Sequence, residues 1–195
     1  MNRMIFAALW LLLVSAIGAG AQQLDERGLH VQPWIDSGSM NLGTDLARAA
    51  AQGRHLMILY EQRGCIYCAQ LHEVNFARTE ITDLIRAHFK VIQLDLNGTR
   101  MMTDFDGTRL SEADLARKWG VGTTPTTLVL AASNAGARDL AAAETFRLPG
   151  YLEPFYYFTV LDYFASGAFG DQDFQTFVHQ RIAALAEEGK TPEDW

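Results

Sequence analysis

The feature that most constrains the fold is a short apolar run that is followed at once by a helical pattern. Residues 55–60 are almost continuously apolar, which is typical of a strand buried on both faces of a parallel or mixed sheet. Residues 61–64 are polar or glycine and form a turn. From Cys65 onward, Cys68 and Leu71 continue a spacing that is typical of a helix. The sequence therefore predicts a strand, a tight turn and a helix that begins at Cys65.

The rest of the chain alternates predicted helices and strands. Thr44 or Asp45 is the predicted N-cap of a helix that ends at Gly53, and Ser111 is the predicted N-cap of another. Residues 97–110 are predicted as a long loop. Further helices are predicted at 79–89, 154–164 and 174–185, and further strands at 90–96, 126–131 and 145–148. This order indicates one α/β domain in which helices and a sheet form layers.

The beginning of the chain has the pattern of a secretory signal. Arg3 precedes an apolar run at 5–17, and the small residues at 19–21 provide a site for a signal peptidase, with cleavage after Ala21. The alternative is an uncleaved membrane anchor, but the run is short for a spanning helix of about 20 residues. We therefore expect export to the periplasm. The predicted divisions of the chain are a signal peptide at 1–21, an N-terminal arm at 22–43, and one domain at 44–195 that ends in a helical extension.

Charge and cysteine content limit the classes of function. The formal net charge of -7 argues against nucleic acid as a partner, because binding phosphate requires a basic surface. The chain has 2 cysteines, and a disulfide between such close neighbours would remove little entropy from the unfolded chain. In an exported protein, such a pair indicates redox chemistry more than structural cross-linking.

The predicted start of a helix at Cys65 explains what the pair could do. Free backbone N–H groups and the helix dipole stabilise a thiolate there, which makes Cys65 the expected nucleophile. Cys68, one turn further on, can then attack a mixed disulfide. A zinc half-site is one alternative, but the sequence has no second cysteine pair to complete four ligands. A three-ligand copper site completed by His72 is another. We predict no metal and no cofactor.

A second motif, at 121–126, opens a β-branched strand. Proline cannot donate to a sheet ladder, so Pro125 at this position favours a cis Thr124–Pro125 bond in a tight turn. Together with the strand and the Cys65-x-x-Cys68 helix, this arrangement resembles the thioredoxin superfamily. The resemblance implies a thioredoxin fold, with a central mixed β-sheet flanked by helices. It also implies that the loop with Thr124 and Pro125 lies against the disulfide and binds the substrate backbone.

The segment around the cysteines narrows the resemblance. Residues 60–68, followed by Leu71 and His72, are similar to the secreted thioredoxins found with bacterial sulfur-oxidation systems, and the wider similarity covers about residues 44–165. This resemblance implies a periplasmic reductase of protein disulfides, which we expect to be a monomer. It would receive electrons from an inner-membrane thiol transporter and would reduce a cysteine on a sulfur-carrier protein.

Two departures from ordinary thioredoxin concern the site. A buried aspartate is expected six residues before the first cysteine, where this chain has Leu59. Glu61 would share the strand face of Leu59 if the strand continues, and it either transfers protons for Cys68 or is a solvated loop carboxylate. Ile66 and Tyr67 stand between the cysteines in place of Gly-Pro, so the redox potential does not carry over. Tyr67 is therefore a further candidate site residue.

Two other functions stay open. An oxidase would donate the same disulfide, but the chain lacks the helical insertion of disulfide-introducing enzymes. A metal-binding or chaperone module would use the same fold without redox turnover. The loop at 97–110 is longer than in the minimal fold, and it is either a partner-recognition element or a tolerated insertion.

Overall fold

The computed structural model describes residues 23–195, so the predicted signal peptide lies outside the described residues. A mixed sheet of five strands forms the middle layer, and helices cover both of its faces. The strands are β1 (Ile35–Asp36), β2 (His55–Glu61), β3 (Phe89–Asp95), β4 (Met101–Thr103), β5 (Arg109–Ser111), β6 (Thr126–Leu130) and β7 (Phe146–Pro149). The helices are α1 (Leu42–Ala51), α2 (Ile66–Gln70), α3 (Thr79–His88), α4 (Glu112–Lys118), α5 (Leu140–Ala143), α6 (Pro154–Ala165) and α7 (Phe174–Glu187).

The order of strands in the main sheet is β1-β3-β2-β6-β7. β2 is the central strand, because it runs parallel to β3 on one side and antiparallel to β6 on the other. Tyr60, near the end of β2, pairs with Thr126 at the start of β6. This register brings the turn that follows β2 next to the segment that precedes β6. The predicted central mixed sheet with flanking helices is confirmed.

β2 is buried on both faces, as its continuous apolar run predicts. Successive side chains of a strand point to opposite faces, so β2 contributes to two cores. Ile58 belongs to the first core, which lies under α1 and α4. Leu59 belongs to the second core, which lies under α3, α6 and the turn that follows α2. Glu61 alternates in phase with Leu59 and therefore points toward the second core.

α1 begins at Leu42, so the predicted caps Thr44 and Asp45 are wrong. The Asn41 side chain accepts a hydrogen bond from the Thr44 N–H at 2.9 Å, which makes Asn41 the N-cap. The Asp45 carboxylate is fully buried and accepts the N–H of Ser39. Asp45 instead lies in the first turn of α1, where the helix dipole favours a carboxylate.

The segment predicted as a long loop, 97–110, contains most of a hairpin. β4 and β5 pair in antiparallel fashion, with Met101 opposite Ser111. Gly107 has a φ of 84° in the connecting turn, a conformation that favours glycine. Met102 is fully buried in the first core, so the hairpin is packed against the domain. The prediction failed because strands of three residues are too short to show a hydrophobic period, and the same holds for the unpredicted helix α5.

The N-terminal arm, predicted as a surface segment without regular structure, is partly built into the domain. β1 lies within it and pairs in parallel with β3. Leu29 is fully buried, and Asp36 of β1 forms an ion pair with Lys90 of β3. Among residues 23–195, no helix has both the length and the apolar character that crossing a membrane requires.

Candidate active site

Cys65 and Cys68 lie where the central strand leads into α2. They form a disulfide in which the two Cα atoms are 5.2 Å apart. Cys65 is the N-cap residue of α2, and its Sγ accepts a hydrogen bond from the Cys68 N–H at 3.0 Å. Cys65 is partly exposed, whereas Cys68 is fully buried. A partner molecule can therefore reach the sulfur of Cys65 but not that of Cys68.

The start of the helix favours negative charge on the exposed sulfur. The first N–H groups of a helix have no intrahelical acceptors, and they carry partial positive charge. One of these groups, the Cys68 N–H, already points at the Cys65 Sγ. After reduction it would stabilise a thiolate, which is the nucleophilic form of cysteine.

The loop that precedes β6 lies against Cys65. The Thr124–Pro125 peptide bond is cis. The Thr124 hydroxyl donates a hydrogen bond to the Cys65 Sγ at 3.2 Å, and the Thr124 carbonyl oxygen lies 3.5 Å from the same sulfur. The Pro125 carbonyl oxygen accepts the Gly150 N–H at 2.7 Å. The structure thus brings Thr124 to Cys65 across a sequence separation of 59 residues.

Exposed apolar side chains surround the accessible sulfur. Ile66 is 74% exposed and Tyr67 is 54% exposed. The ring of Tyr67 stacks on that of Tyr151, with 6.5 Å between the ring centroids. Large apolar side chains that are exposed next to one another provide contact area for another protein. Tyr67 therefore lies on the outer surface of the site.

Glu61 is the last residue of β2, and its side chain is completely buried. The strand extends to Glu61 because this residue pairs with Asp95 of β3 and its carbonyl oxygen accepts the Leu96 N–H at 2.8 Å. The alternative of a solvated loop carboxylate is therefore wrong. The carboxylate enters the second core, on the same strand face as Leu59.

Sequence reasoning missed the partner of Glu61, which is His72. The His72 Nε2 lies 2.8 Å from the Glu61 Oε1, and both side chains have no solvent exposure. The Gln93 side-chain amide donates to the Glu61 Oε2 at 2.5 Å. The sequence did contain one signal for this residue. His72 follows Cys68 by four residues, a spacing that in a regular helix places both side chains on one face. Within residues 23–195, no three His, Cys, Asp or Glu side chains are grouped so as to hold a metal ion.

His72 lies in an irregular part of the helical run. After α2, residues Leu71–Asn75 form a π-helical turn, in which the Phe76 N–H donates to the Leu71 carbonyl oxygen at 2.9 Å. The sequence predicts a regular helix here, since apolar spacing does not separate a single π-turn from an α-helix. Such turns are frequent at functional sites.

The chain matches one family of sequences and is similar to several solved structures. Residues 42–165 match the sequence profile of a thioredoxin-like domain family. A thioredoxin-fold protein from Helicobacter pylori is similar with a TM-score of 0.52 and 20% identity, over 67% of this chain and 81% of that one. A thioredoxin from Thermus thermophilus gives 0.46 and 27%, over 60% and 77%. The periplasmic thioredoxin SoxS from Paracoccus pantotrophus gives 0.38 and 20%, over 59% and 99%. No curated protein sequence matches this chain.

The family follows from the extent of the profile match and from the fold. The matched residues make up more than half of the chain, and they include both cysteines and the loop with Thr124 and Pro125. The Helicobacter protein shares the fold. The chain therefore belongs to the thioredoxin-like domain family.

Proposed function

We propose that this protein is an exported thiol–disulfide oxidoreductase that reduces disulfides in other proteins. The observation that carries the proposal is the setting of Cys65, a partly exposed sulfur at a helix start, beside the Thr124 hydroxyl and bonded to a buried sulfur. This arrangement separates an accessible nucleophile from a shielded resolving thiol. Membership of the thioredoxin-like family supports the same chemistry.

The proposed reaction consists of two exchange steps. The Cys65 thiolate attacks one sulfur of the partner's disulfide, which forms a mixed disulfide and releases the other partner sulfur as a thiolate. Cys68 then loses its proton and attacks the Cys65 Sγ, which releases the second partner thiolate. Both partner thiolates take up protons. The partner thus gains two electrons and two protons, and the protein is left with the Cys65–Cys68 disulfide.

Four further residues have proposed supporting roles. Glu61 accepts the proton of Cys68 in the second step. The superfamily has a buried aspartate at the position of Leu59, and the buried carboxylate of Glu61 would perform its role here. The loop with Thr124 and Pro125 shapes the groove that receives the backbone of the partner. Tyr67 adds exposed apolar contact area beside Cys65.

The cellular setting is proposed from the sequence. Removal of the signal peptide at 1–21 would leave a periplasmic monomer that begins at Gln22. The similarity of residues 60–72 to the sulfur-oxidation thioredoxins, and to SoxW in particular, favours a sulfur-carrier protein as the substrate. An inner-membrane thiol transporter would return the two electrons to the disulfide. No cofactor takes part in this scheme.

Trapping of the mixed disulfide tests the proposal. The Cys68→Ser variant keeps the surroundings of Cys65 but lacks the resolving sulfur, so mixed disulfides should accumulate. When the full chain is expressed with its signal segment, we expect a small set of exported proteins, including a sulfur carrier, in complexes that dithiothreitol dissociates. Cys65→Ser is the matched control, and it should trap far less because it lacks the accessible nucleophile.

Two other results would point to different functions. Many unrelated secreted proteins in the trap would indicate an oxidase. An empty trap, together with metal bound by the reduced cysteine pair, would indicate a metal-binding module.

A further inference from the structure

A chain of hydrogen-bonded side chains runs through the second core, from the N-terminal arm to the central sheet. The side-chain amide nitrogen of Gln32 lies 3.2 Å from the His72 Nδ1. On the other side of the ring, the His72 Nε2 lies 2.8 Å from the Glu61 Oε1, and the Gln93 amide donates to the Glu61 Oε2. The His30 ring stacks on the His72 ring, with 4.8 Å between centroids. Both nitrogens of His72 and both oxygens of Glu61 therefore have a partner.

The orientation of these groups defines where the protons are. An amide nitrogen only donates, so the His72 Nδ1 accepts from Gln32 and the His72 Nε2 is the ring nitrogen that donates to Glu61. Both Glu61 oxygens thus accept hydrogen bonds, Oε1 from His72 and Oε2 from Gln93. Neither side chain of the pair has access to solvent.

Few other charges face this pair. Burial lowers the pKa of His30, which keeps that ring uncharged at neutral pH. Arg27 connects to the pair through Gln93, whose side-chain oxygen accepts from the Arg27 Nη2 at 3.2 Å. On α6, burial raises the pKa of the Tyr157 phenol, so it stays neutral. Glu73, on the same helical run as His72, is exposed to solvent.

Cys68 is the redox group that precedes His72 in the same helical run. Cys68 and His72 are four residues apart in the run formed by α2 and the π-turn, and both are buried. Glu61 approaches His72 from β2. The buried Glu61–His72 pair therefore lies about one turn of the helical run from the buried Cys68.

We propose that Glu61 and His72 act as one proton-holding pair for Cys68, and that Gln32 is the positioning residue that orients the imidazole. This inference rests on the proposed reductase function and adds His72 and Gln32 to it. When Cys68 attacks the mixed disulfide, its S–H bond breaks and the proton passes to the pair. The pair becomes an imidazolium beside a carboxylate, and its net charge changes from minus one to zero. The Cys68 thiolate forms the bond to Cys65 and displaces the partner thiolate.

Gln32 suits both states of the pair because an amide has a donor end and an acceptor end. While the His72 Nδ1 has no proton, the amide nitrogen of Gln32 donates to it. Once Nδ1 carries a proton, rotation of the same amide presents its oxygen as the acceptor. Gln32 belongs to the N-terminal arm, so the packing of that arm controls the proton affinity of a group inside the domain.

Rapid-quench kinetics separates the two exchange steps. The reduced protein is mixed with insulin as the disulfide substrate, quenched with acid, alkylated, and analysed by mass for the mixed disulfide. We expect His72→Gln to slow the resolving step about 100-fold, as loss of a general base does, and to leave the Cys65 attack unchanged. Glu61→Gln should have a similar effect. The double variant should be no slower than either single variant, since the two groups act as a unit.

Two further variants test the positioning role and the specificity. Gln32→Glu keeps an acceptor facing Nδ1 and favours the protonated ring, so the pH profile of the resolving step should move to higher pH. His55→Gln is the matched control. His55 lies at the other end of β2, and its ring nitrogens contact the Phe164 carbonyl oxygen at 3.2 Å and the Ala132 N–H at 3.1 Å. This control should change neither exchange step.

Nitrogen NMR of histidine-labelled, unaltered protein gives a result that does not depend on the folding of variants. We expect the titration midpoint of the His72 ring to be higher in the dithiol form than in the disulfide form, because the added negative charge of the cysteines favours the protonated ring. The His55 midpoint should be the same in both forms. An unchanged His72 signal, or a slow resolving step in Glu61→Gln but not in His72→Gln, would overturn the pair. If trapping by Cys68→Ser fails instead, the proposed function is wrong, whereas the NMR result still reports on the pair.

Discussion

At the scale of single residues, the two cysteines, Cys65 and Cys68, have different environments. The Cys65 sulfur meets two donors, the Cys68 N–H at 3.0 Å and the Thr124 hydroxyl at 3.2 Å. Hydrogen bonds to a charged form favour that form, so both contacts stabilise a thiolate on Cys65. Cys68 has no exposure to solvent. Because of this difference, the proposed reaction has Cys65 attack the partner disulfide and Cys68 resolve the mixed disulfide.

Cys65 in the reduced protein should react with iodoacetamide at pH values well below the ordinary thiol pKa of about 8.5, and Cys68 should not. Peptide mapping by mass spectrometry at a series of pH values measures both rates. Thr124→Val removes one donor at nearly constant shape. It should move the Cys65 profile up by about 1–2 pH units, since a hydrogen bond to a charged group contributes roughly 1.5–3 kcal/mol and one pH unit corresponds to about 1.4 kcal/mol. Two thiols with equal and ordinary profiles would contradict this reading of the site.

At the scale of elements, β1 is attached to the sheet by side-chain contacts as well as by backbone hydrogen bonds. The strand has only 2 residues, and it pairs with β3 alone. Lys90 of β3 is largely buried and forms an ion pair with Asp36 of β1, while the Asp45 carboxylate lies 3.9 Å from the same ammonium group. Lys90 therefore connects the sheet to the N-terminal arm and to α1.

The contribution of Asp36 to stability should depend on pH. The hydrogen bond from Lys90, with that from the Gly38 N–H, lowers the pKa of the Asp36 carboxyl. A carboxyl with a lowered pKa in the folded state stabilises the fold above its unfolded value of about 3.9, and the effect is lost as pH falls through the folded value. Asp36→Asn should therefore lower the free energy of unfolding at pH 7. The effect should be about 1 kcal/mol or less, because Asp36 is half exposed. In strong acid the substitution should have little effect.

Urea denaturation at neutral and at acid pH measures this difference. Asp83→Asn is the control, because the ion pair of Asp83 with Arg86 is well exposed and should contribute little at either pH. An equal loss of stability from Asp36→Asn at both pH values would show that charge is not the cause.

At the scale of the whole molecule, the arm and the domain form one packed unit. Leu29 is fully buried, and the Trp34 ring meets the Phe76 ring edge-on, with 4.9 Å between centroids. The Arg63 side chain donates to the Arg27 carbonyl oxygen at 3.1 Å. The arm therefore covers the side of the second core that holds the Glu61 carboxylate.

Leu29→Ala should lower the free energy of unfolding by about 2–5 kcal/mol, because it leaves a cavity in packed structure. Leu24→Ala is the matched control on the same arm. Leu24 is 52% exposed, so its loss should change stability by no more than about 0.5 kcal/mol. Urea unfolding followed by both fluorescence and circular dichroism should give coincident transitions. If the two variants are equally stable, the arm is not an integral part of the folded unit.

Local features of the sequence were enough to predict much of the site. The apolar run of β2, the helix that starts at Cys65 and the Ser111 cap of α4 depend on neighbours within one or two turns of chain. Ser111 caps its helix as predicted, because its hydroxyl accepts the Asp114 N–H nearby in the sequence. The placement of Thr124 beside Cys65 required the family resemblance, since no local pattern links residues so far apart.

The sequence by itself determined where the two cysteines lie, at the start of a helix after a buried strand. Only the tertiary structure decided that Glu61 is buried and that it is paired with His72. The physical reason is that burial and pairing are set by groups distant along the chain: Gln93 lies 32 residues from Glu61, and Gln32 lies 40 residues from His72. From the sequence alone, a carboxylate next to a turn is predicted to be solvated. Only the fold brings these distant groups into contact with Glu61 and His72.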